Sequence, residues 1–525
     1  SLNFRINLEC AFYTTTLSNK FKLLTMRKFL YGAAVQGIQS FIFQTNTLRE
    51  IVGASELVEE ICTKMFAEQL GISITELDKD ENAIINAAGN IKYIFDNEDK
   101  CKKVFREFPK QVLEAAPGIT ISQAVIELRD GLNLSDALHE LEIRLRKERN
   151  MPMQPITLGL MGIQRSRETG LPERYHMSNP EDYCDEGTFR KRKAADTYSL
   201  LRKAIGEEMA DMVKTTNRVD SFTDANDWIA VIHADGNGLG RIVRAVSEGD
   251  SSGRDFHDFS SKLDESTIKA AKSAAGIVFE NAIKNGTDLP FRPVVLGGDD
   301  LTVIIRGSLA MPFIQNYLEA FETFTKENFE ALAEKYAVLE NGLTACAGIA
   351  FVKSSFPYYY AYNLAEELCA AAKKDSNREK SCIMFHKVQD SFVESYEDIT
   401  KRELTTPEGH SFRYGAYYLN DTPDRWTIDE KTIDDLTERI KNLDSKDGNA
   451  LKSDIRQWLS AMMEPNGLER ANQILDRIKE VNPSMKGEAD ALTSCRTFTD
   501  KKGSTHNIYP AYDVLSLHSI IYQQT

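Results

Sequence analysis

The tetrad Gly297-Gly298-Asp299-Asp300 stands between two apolar runs, Pro293 to Leu296 and Leu301 to Ile305. Two strands joined by such a tip make a tight hairpin, since glycine adopts positive φ without steric penalty. Taken alone, the tetrad is equally good turn chemistry. Its context argues for more, because another strand, WIAVIHAD, ends on Asp235. In a βαββ unit the first strand lies beside the hairpin, so Asp235, Asp299 and Asp300 converge at one sheet end. Clustered carboxylates repel one another unless divalent cations bind between them. Such a cluster suits two Mg²⁺ or Mn²⁺ ions and a nucleoside triphosphate.

Gly236, Asn237, Gly238, Leu239, Gly240 and Arg241 follow Asp235, between the strand and a helix. A glycine-rich loop at a helix N-terminus presents backbone N–H groups to phosphate oxygens. Arg241 occupies the third glycine position of the dinucleotide fingerprint, and no G-x-x-x-x-G-K-[ST] loop is present. Lys373 and Lys374 end a later helix, where they either complete a phosphate cradle or simply favour the helix C-terminal dipole. Other tempting residues read more plainly. His257-Asp258 reads as surface, His233 as a packed side chain at a strand end, and Tyr358, Tyr359 and Tyr360 as helix packing, with base stacking the lesser reading. Without a G-x-S-x-G elbow, Ser/His/Asp catalysis has no support.

These residues need elements to hold them. From Phe29 to Phe43 the chain reads as strand, glycine turn and helix start, followed by a helix through LREIVGASELVEEICTKMFAEQL. A hairpin turning at Gly89-Asn90, a helix, a strand from Ile119 to Glu127, a helix from Leu134 to Arg149 and a strand near Ile156 to Met161 come next. The order βαββαβα predicts a small antiparallel sheet with helices on one face. Residues 164–192 are polar and read as a connector, and a helix is expected from Thr197 to Lys214. WIAVIHAD then opens a second unit of order βαββαβαβ, with a long helix from Met311 to Tyr336, so the halves look like a tandem repeat of one architecture. Beyond Asp390 the chain reads as mainly helical, with amphipathic stretches at 428–443, 449–463 and 468–481. The expected division is an extension over 1–25 and domains over 26–163, 164–215, 216–390 and 391–525.

Composition bounds the function. With Lys+Arg 64 against Asp+Glu 79, the net charge of −15 argues against gripping nucleic acid through bulk positive potential. A chain of 525 residues, 42% hydrophobic, buries several cores of its own and falls outside the disordered, collagen-like and coiled-coil classes. The eight cysteines are scattered, with no C-x-x-C pair, and read as reduced thiols of a cytoplasmic protein. No apolar run approaches the roughly 18 residues of a membrane helix, so no membrane partner is expected. The chain opens on Ser1, and Met26 reads as an alternative start.

ADGNGLG, GGDDLTVII, AEELCAAAKK and CIMFH, in this order and spacing, resemble the cyclase-like palm of the large polymerase/cyclase subunit of type III CRISPR effector complexes. More distantly they are similar to diguanylate cyclases. GIQSFIFQTNTLREIVGASELVEE looks like the start of that subunit's first palm. The resemblance implies an α+β chain of two tandem ferredoxin-like cyclase/polymerase palms with a helical C-terminal domain. It implies conversion of ATP to cyclic or linear oligoadenylate, with Asp235, Asp299 and Asp300 holding two Mg²⁺ or Mn²⁺ ions, Gly297 and Gly298 forming the hairpin and Lys373 binding phosphate. Other subunits and a guide RNA are the implied partners, and homo-oligomerisation stays open.

Three departures qualify the resemblance. Only about thirty residues precede the first palm, where many members carry an HD nuclease domain. Residues 164–172 keep the flavour of a zinc motif without its cysteines, and Ala33-Ala34-Val35-Gln36 stands where catalytic acids would be, so the first palm is expected not to catalyse. A scaffold subunit with RNA-gated or no activity, and a stand-alone nucleotide cyclase, remain as competing readings.

Overall fold

The computed structural model describes residues 27–522 except 88, 130–131, 152–160, 179–180, 220–221, 224–226, 251–253, 391–394, 421–430 and 500–504. The expected extension over 1–25 and most of the strand expected near 156–161 lie outside the described residues. Two compact units divide the chain, one holding the first sheet and the other the second sheet with the C-terminal helices.

In the first unit, β1 (Lys28–Gln36) is an apolar run buried along nearly its whole length. It takes an interior place in a four-stranded antiparallel sheet of order β2-β3-β1-β4. Gly37, at φ +63°, turns the chain into the short helix Ile38–Ile42. The helix expected over residues 48–70 is present as α1 (Leu48–Glu60), a π-helical stretch at Ile61–Met65 and a last turn at Phe66–Leu70. β2 (Ala83–Ala87) and β3 (Asn90–Phe95) form the expected hairpin. Asn97, whose side chain accepts from Lys100 N, caps α2 (Glu98–Ala115). β4 (Thr120–Leu128) and α3 (Leu134–Arg149) complete βαββαβα.

The polar connector is more ordered than its composition foretells. β5 (Tyr175–Ser178) and β6 (Glu181–Cys184) pair as a hairpin ahead of α4 (Glu186–Ala194). The cysteine-free stretch 164–172 closes on itself through an Arg165↔Pro172 bridge and is tied to Asp185 by Thr169 Oγ1 at 2.9 Å. The single helix expected from Thr197 to Lys214 is two, α5 (Ser199–Ile205) and α6 (Glu207–Met212), because Gly206 at φ +89° breaks it.

The second unit is built on a six-stranded sheet of order β12-β11-β10-β7-β9-β8. β7 (Trp228–Gly236) runs in its middle and buries Trp228 through Ile232 together with Ala234. Burying each of its Ile and Val side chains contributes about 1.5–3 kcal/mol, which fixes this strand in the interior. α7 (Leu239–Gly249), α8 (Arg254–Val278), β8 (Phe291–Gly297), β9 (Asp300–Arg306), α9 (Gly307–Asn328), β10 (Ala345–Lys353), α10 (Tyr358–Asp375) and β11 (Cys382–Lys387) follow. The order β8-β9-β7-β10 repeats β2-β3-β1-β4, so the tandem architecture read from the sequence is present in the fold. β1 and β7 are both nine residues long, and the next-to-last position is Val35 in one and Asp235 in the other.

α10 lies directly on β10. A Cβ at Gly348 would come within 1.9 Å of Ala365 O and 2.4 Å of Cys369 N, so only glycine permits this approach. The C-terminal region is mainly helical, with α11 (Ile433–Leu443), α12 (Lys446–Met462), α13 (Leu468–Val481) and α14 (Ala511–Ile521). It also supplies strands the sequence did not signal. β12 (Tyr417–Tyr418) pairs with β11, and β13 (Arg496–Thr499) pairs with β14 (Thr505–Ile508). No helix among the described residues is long and apolar enough to cross a membrane.

Candidate active site

The β7–β9 ladder ends at Ala234↔Leu301, so the next residue on each strand, Asp235 and Asp300, meets the other at the end of the sheet. On the far side of β9, Gly297 pairs with Asp300, which places the Gly298-Asp299 tip beside them. Gly298 sits at φ +62°, a left-handed conformation that the turn requires and a bulkier residue would strain. Asp299 packs onto the end of β7, where a Cβ at Gly236 would be 3.0 Å from both its Cβ and its Oδ2. The three carboxylates expected to converge are therefore brought together.

Their protonation follows from that crowding. Burial pushes Asp299 up to about 8, reinforced by the charge of Asp300 and by a hydrogen bond to Asp235. Burial likewise pushes Asp300 up to about 7, with Asp235 adding to the rise and Lys373 opposing it. Burial also pushes Asp235 upward, but the hydrogen bond from Asp299 and the ammonium of Lys373 outweigh it, and its carboxyl lies below the usual carboxylate range. The cluster is thus one carboxylate and two carboxyls that retain protons near neutrality, because burial and mutual crowding disfavour a second and third negative charge.

Lys373 enters the cluster from the last turn of α10, and Lys374 is exposed. The Lys373 ammonium donates to the Asp235 carboxylate and, at 2.8 Å, to Gly236 O. Helical geometry thus separates two adjacent lysines, of which the resemblance had singled out Lys373.

The glycine-rich segment divides by role. Asn237 is buried and its side chain is spent internally, donating to Thr344 Oγ1 at 3.0 Å and to Lys380 O at 3.2 Å and accepting from Cys346 Sγ at 3.3 Å. It holds the loop to the sheet. Gly238, at φ +68°, makes the turn, and Leu239 and Gly240 open α7, where the first N–H groups have no partner within a helix. A Cβ at Gly240 would meet nothing within 4 Å, so open space lies beside it.

His233, read as a packed side chain, bonds Thr302 Oγ1 through Nδ1 at 3.0 Å and meets Tyr362 edge-on at 5.7 Å. Burial lowers its pKa to about 4, so the ring is neutral. Its ring nitrogen nevertheless lies near the acids. His233, Asp235 and Asp300 offer ligand atoms within 4.8 Å of one another, the one such group of three among the described residues. His257 corrects the surface reading, because it is half-buried and its Nδ1 bonds Ala83 O at 2.7 Å. Tyr358 is buried and Tyr359 and Tyr360 are exposed.

Sequence reasoning missed the residues under the hairpin. Gly298 N donates to Asp264 Oδ1 at 2.9 Å, Thr267 Oγ1 donates to Gly298 O at 2.6 Å, and Lys203 Nζ donates to Leu296 O at 3.1 Å. The only available signal was an Asp and a Thr three residues apart, on one face of a long helix.

Residues 228–382 match the family model of the Cas10/Cmr2 second palm domain. No curated protein matches the chain by sequence. Among solved structures, the chain is similar to the Csm1-Csm4 cassette in complex with cA3, at 13% identity over 94% of this chain and 69% of that one, with TM-score 0.50. It is also similar to the cassette in complex with pppApA, at 14% identity over 94% and 69% with TM-score 0.51, and to the complex with pppApApA, at 13% over 95% and 70% with TM-score 0.51. At such identities the likeness is one of fold, and it spans both palms and the helical region. The Cas10/Cmr2 second-palm match covers the strands that carry all three acids, so residues 228–382 form a palm domain of the Cas10/Cmr2 kind, within a chain whose fold is similar to that of the Csm1-Csm4 cassette.

Proposed function

We propose that the second palm is a nucleotidyltransferase that joins ATP into oligoadenylate, cyclic or linear, as a second messenger in type III CRISPR antiviral defence, and that the first palm does not catalyse. The observation that carries this reading is the meeting of Asp235, Asp299, Asp300 and Lys373 at one sheet end, inside the stretch that matches a Cas10/Cmr2 second palm. The donor set is hard and anionic, which fits Mg²⁺ or Mn²⁺ held by Asp235, Asp299 and Asp300. Two such ions, when bound, withdraw charge from the triphosphate and stabilise the attacking and leaving oxygens.

The chemistry is in-line attack of the 3′-hydroxyl oxygen of one ATP on the α-phosphorus of another, with the bond to pyrophosphate breaking. Lys373 carries a positive charge to this point and can transfer its bonds from Asp235 to phosphate oxygens. The α7 start at Leu239 and Gly240, with open space at Gly240, admits phosphate to backbone N–H groups. Gly297 and Gly298 keep the hairpin free of side chains where substrate approaches.

A second reading, a subunit whose activity depends on companions, is favoured by the similar solved chains being Csm1-Csm4 pairs. In that reading a companion subunit and guide RNA gate the reaction.

Incubation with labelled ATP, and with each other NTP, in Mg²⁺ or Mn²⁺ tests both. Oligonucleotide products identified by mass spectrometry, and lost in Asp299→Ala/Asp300→Ala, establish a self-sufficient synthase. ATP binding without product points to the gated subunit. No ATP binding overturns the enzyme reading.

A further inference from the structure

The GGDD tip does not hold its shape by turn chemistry alone. Gly298 is left-handed at φ +62°, and both of its own peptide groups are bonded by one helix. Its N–H donates to Asp264 Oδ1 at 2.9 Å, and its carbonyl accepts from Thr267 Oγ1 at 2.6 Å. Asp264 and Thr267 stand three residues apart on α8, so they project from one face toward the two peptide groups that flank the Gly298 Cα. Thr267 is fully buried. Lys203 on α5 adds a third tie, bonding Leu296 O at 3.1 Å while its ammonium lies 3.9 Å from Asp264 Oδ1. The carbonyl held by Thr267 belongs to the peptide bond that leads into Asp299, so its orientation sets the direction of the first acidic side chain.

We infer that Asp264 and Thr267, with Lys203 behind them, are positioning residues that fix the Gly298 peptide and thereby aim Asp299 and Asp300. The inference rests on the proposed nucleotidyltransferase reading for its catalytic consequence and on the hairpin alone for its structural one. An unbraced tip would be free to shift, and misplacement by about 1 Å suffices to lower a rate by about 10²-fold. The bonds differ in what they require. Asp264 serves Gly298 through an oxygen acceptor, which asparagine retains, and Thr267 through a hydroxyl, which serine retains.

The test uses the full chain with four variants, Asp264→Ala, Asp264→Asn, Thr267→Val and Thr267→Ser. Each is read by hydrogen–deuterium exchange of peptides covering 295–303 and by ATP turnover. Asp264→Ala and Thr267→Val are expected to speed exchange at the tip by tenfold or more and to lower kcat by 10- to 100-fold, with KM for ATP within threefold. Asp264→Asn and Thr267→Ser are expected to recover kcat to within fivefold of the parent, a rescue that a general loss of folding would not give. Unchanged exchange in both Asp264→Ala and Thr267→Val overturns the brace, whatever the activity. Faster exchange with unchanged kcat overturns the positioning role. If the parent chain alone turns over no ATP, it is the self-sufficient synthase that fails, and the exchange readout alone then decides the brace.

Discussion

Lys373 Nζ, at the end of α10, is bonded to the Asp235 carboxylate and to Gly236 O at the end of β7. A cation from one element thus sits on the carboxylate that also accepts the hydrogen bond of Asp299. Removing it leaves a half-buried carboxylate without its counter-charge. Lys373→Met is expected to lower stability by about 1–2 kcal/mol in metal-free buffer, less than for a fully buried pair because water screens the exposed part of Asp235. Urea unfolding measures the first effect. ATP turnover is expected to fall at least about 10²-fold, as on loss of a charge-stabilising donor, and unchanged turnover would exclude Lys373 from the phosphate role.

The crowding of the three acids comes at the expense of stability. Asp299, pushed up to about 8, holds its proton only because the ionised form is desolvated and crowded. Asp299→Asn removes the ionisable group and keeps the shape. It is expected to raise stability on the order of 2 kcal/mol in metal-free buffer at pH 8.5 and to abolish turnover. A lowered Tm in that buffer would contradict this account.

The sign of the pH dependence follows from the same groups. Asp299 and Asp300 have folded pKa values of about 8 and 7, above their unfolded values, so the folded chain keeps protons that the unfolded chain has released. Stability in chelator is therefore expected to fall as pH rises from about 4 to 8 and to level off above that window. If the cluster holds the proposed Mg²⁺ or Mn²⁺, it does so deprotonated, so either ion should raise Tm at pH 8 and have little effect at pH 5. Equal stabilisation at both values would place the cation elsewhere.

Two glycines separate packing from substrate access. Gly348→Ala drives a Cβ into the α10 backbone, at 1.9 Å from Ala365 O, and is expected to cost about 2–3 kcal/mol and to displace Lys373. Gly240→Ala adds a methyl to open space, so its stability should stay within about 0.5 kcal/mol of the parent, while ATP binding weakens if phosphate approaches the start of α7. Denaturant midpoints and ATP titration distinguish the two outcomes.

What was legible beforehand lay in local signals. The apolar runs of β1, β7 and β10, the turns at Gly37 and Gly89, and the amphipathic period of α13 each depend on residues a few positions apart, so the sequence by itself determined the main elements of the two sheets, their tandem order and the convergence of Asp235 with the GGDD hairpin. Contacts between distant residues decided the rest. Only packing at Gly348 turns Lys373 inward and leaves Lys374 outside, only the register Cys346↔Asp235 puts Asn237 into hydrogen bonds with the sheet, and only α8 laid beneath the tip makes Asp264 and Thr267 partners of Gly298. The same holds for β12, a two-residue strand that pairs with β11 and has no periodicity of its own to read. A sequence records which bonds each residue is able to make, and tertiary structure decides which partner comes within reach of them.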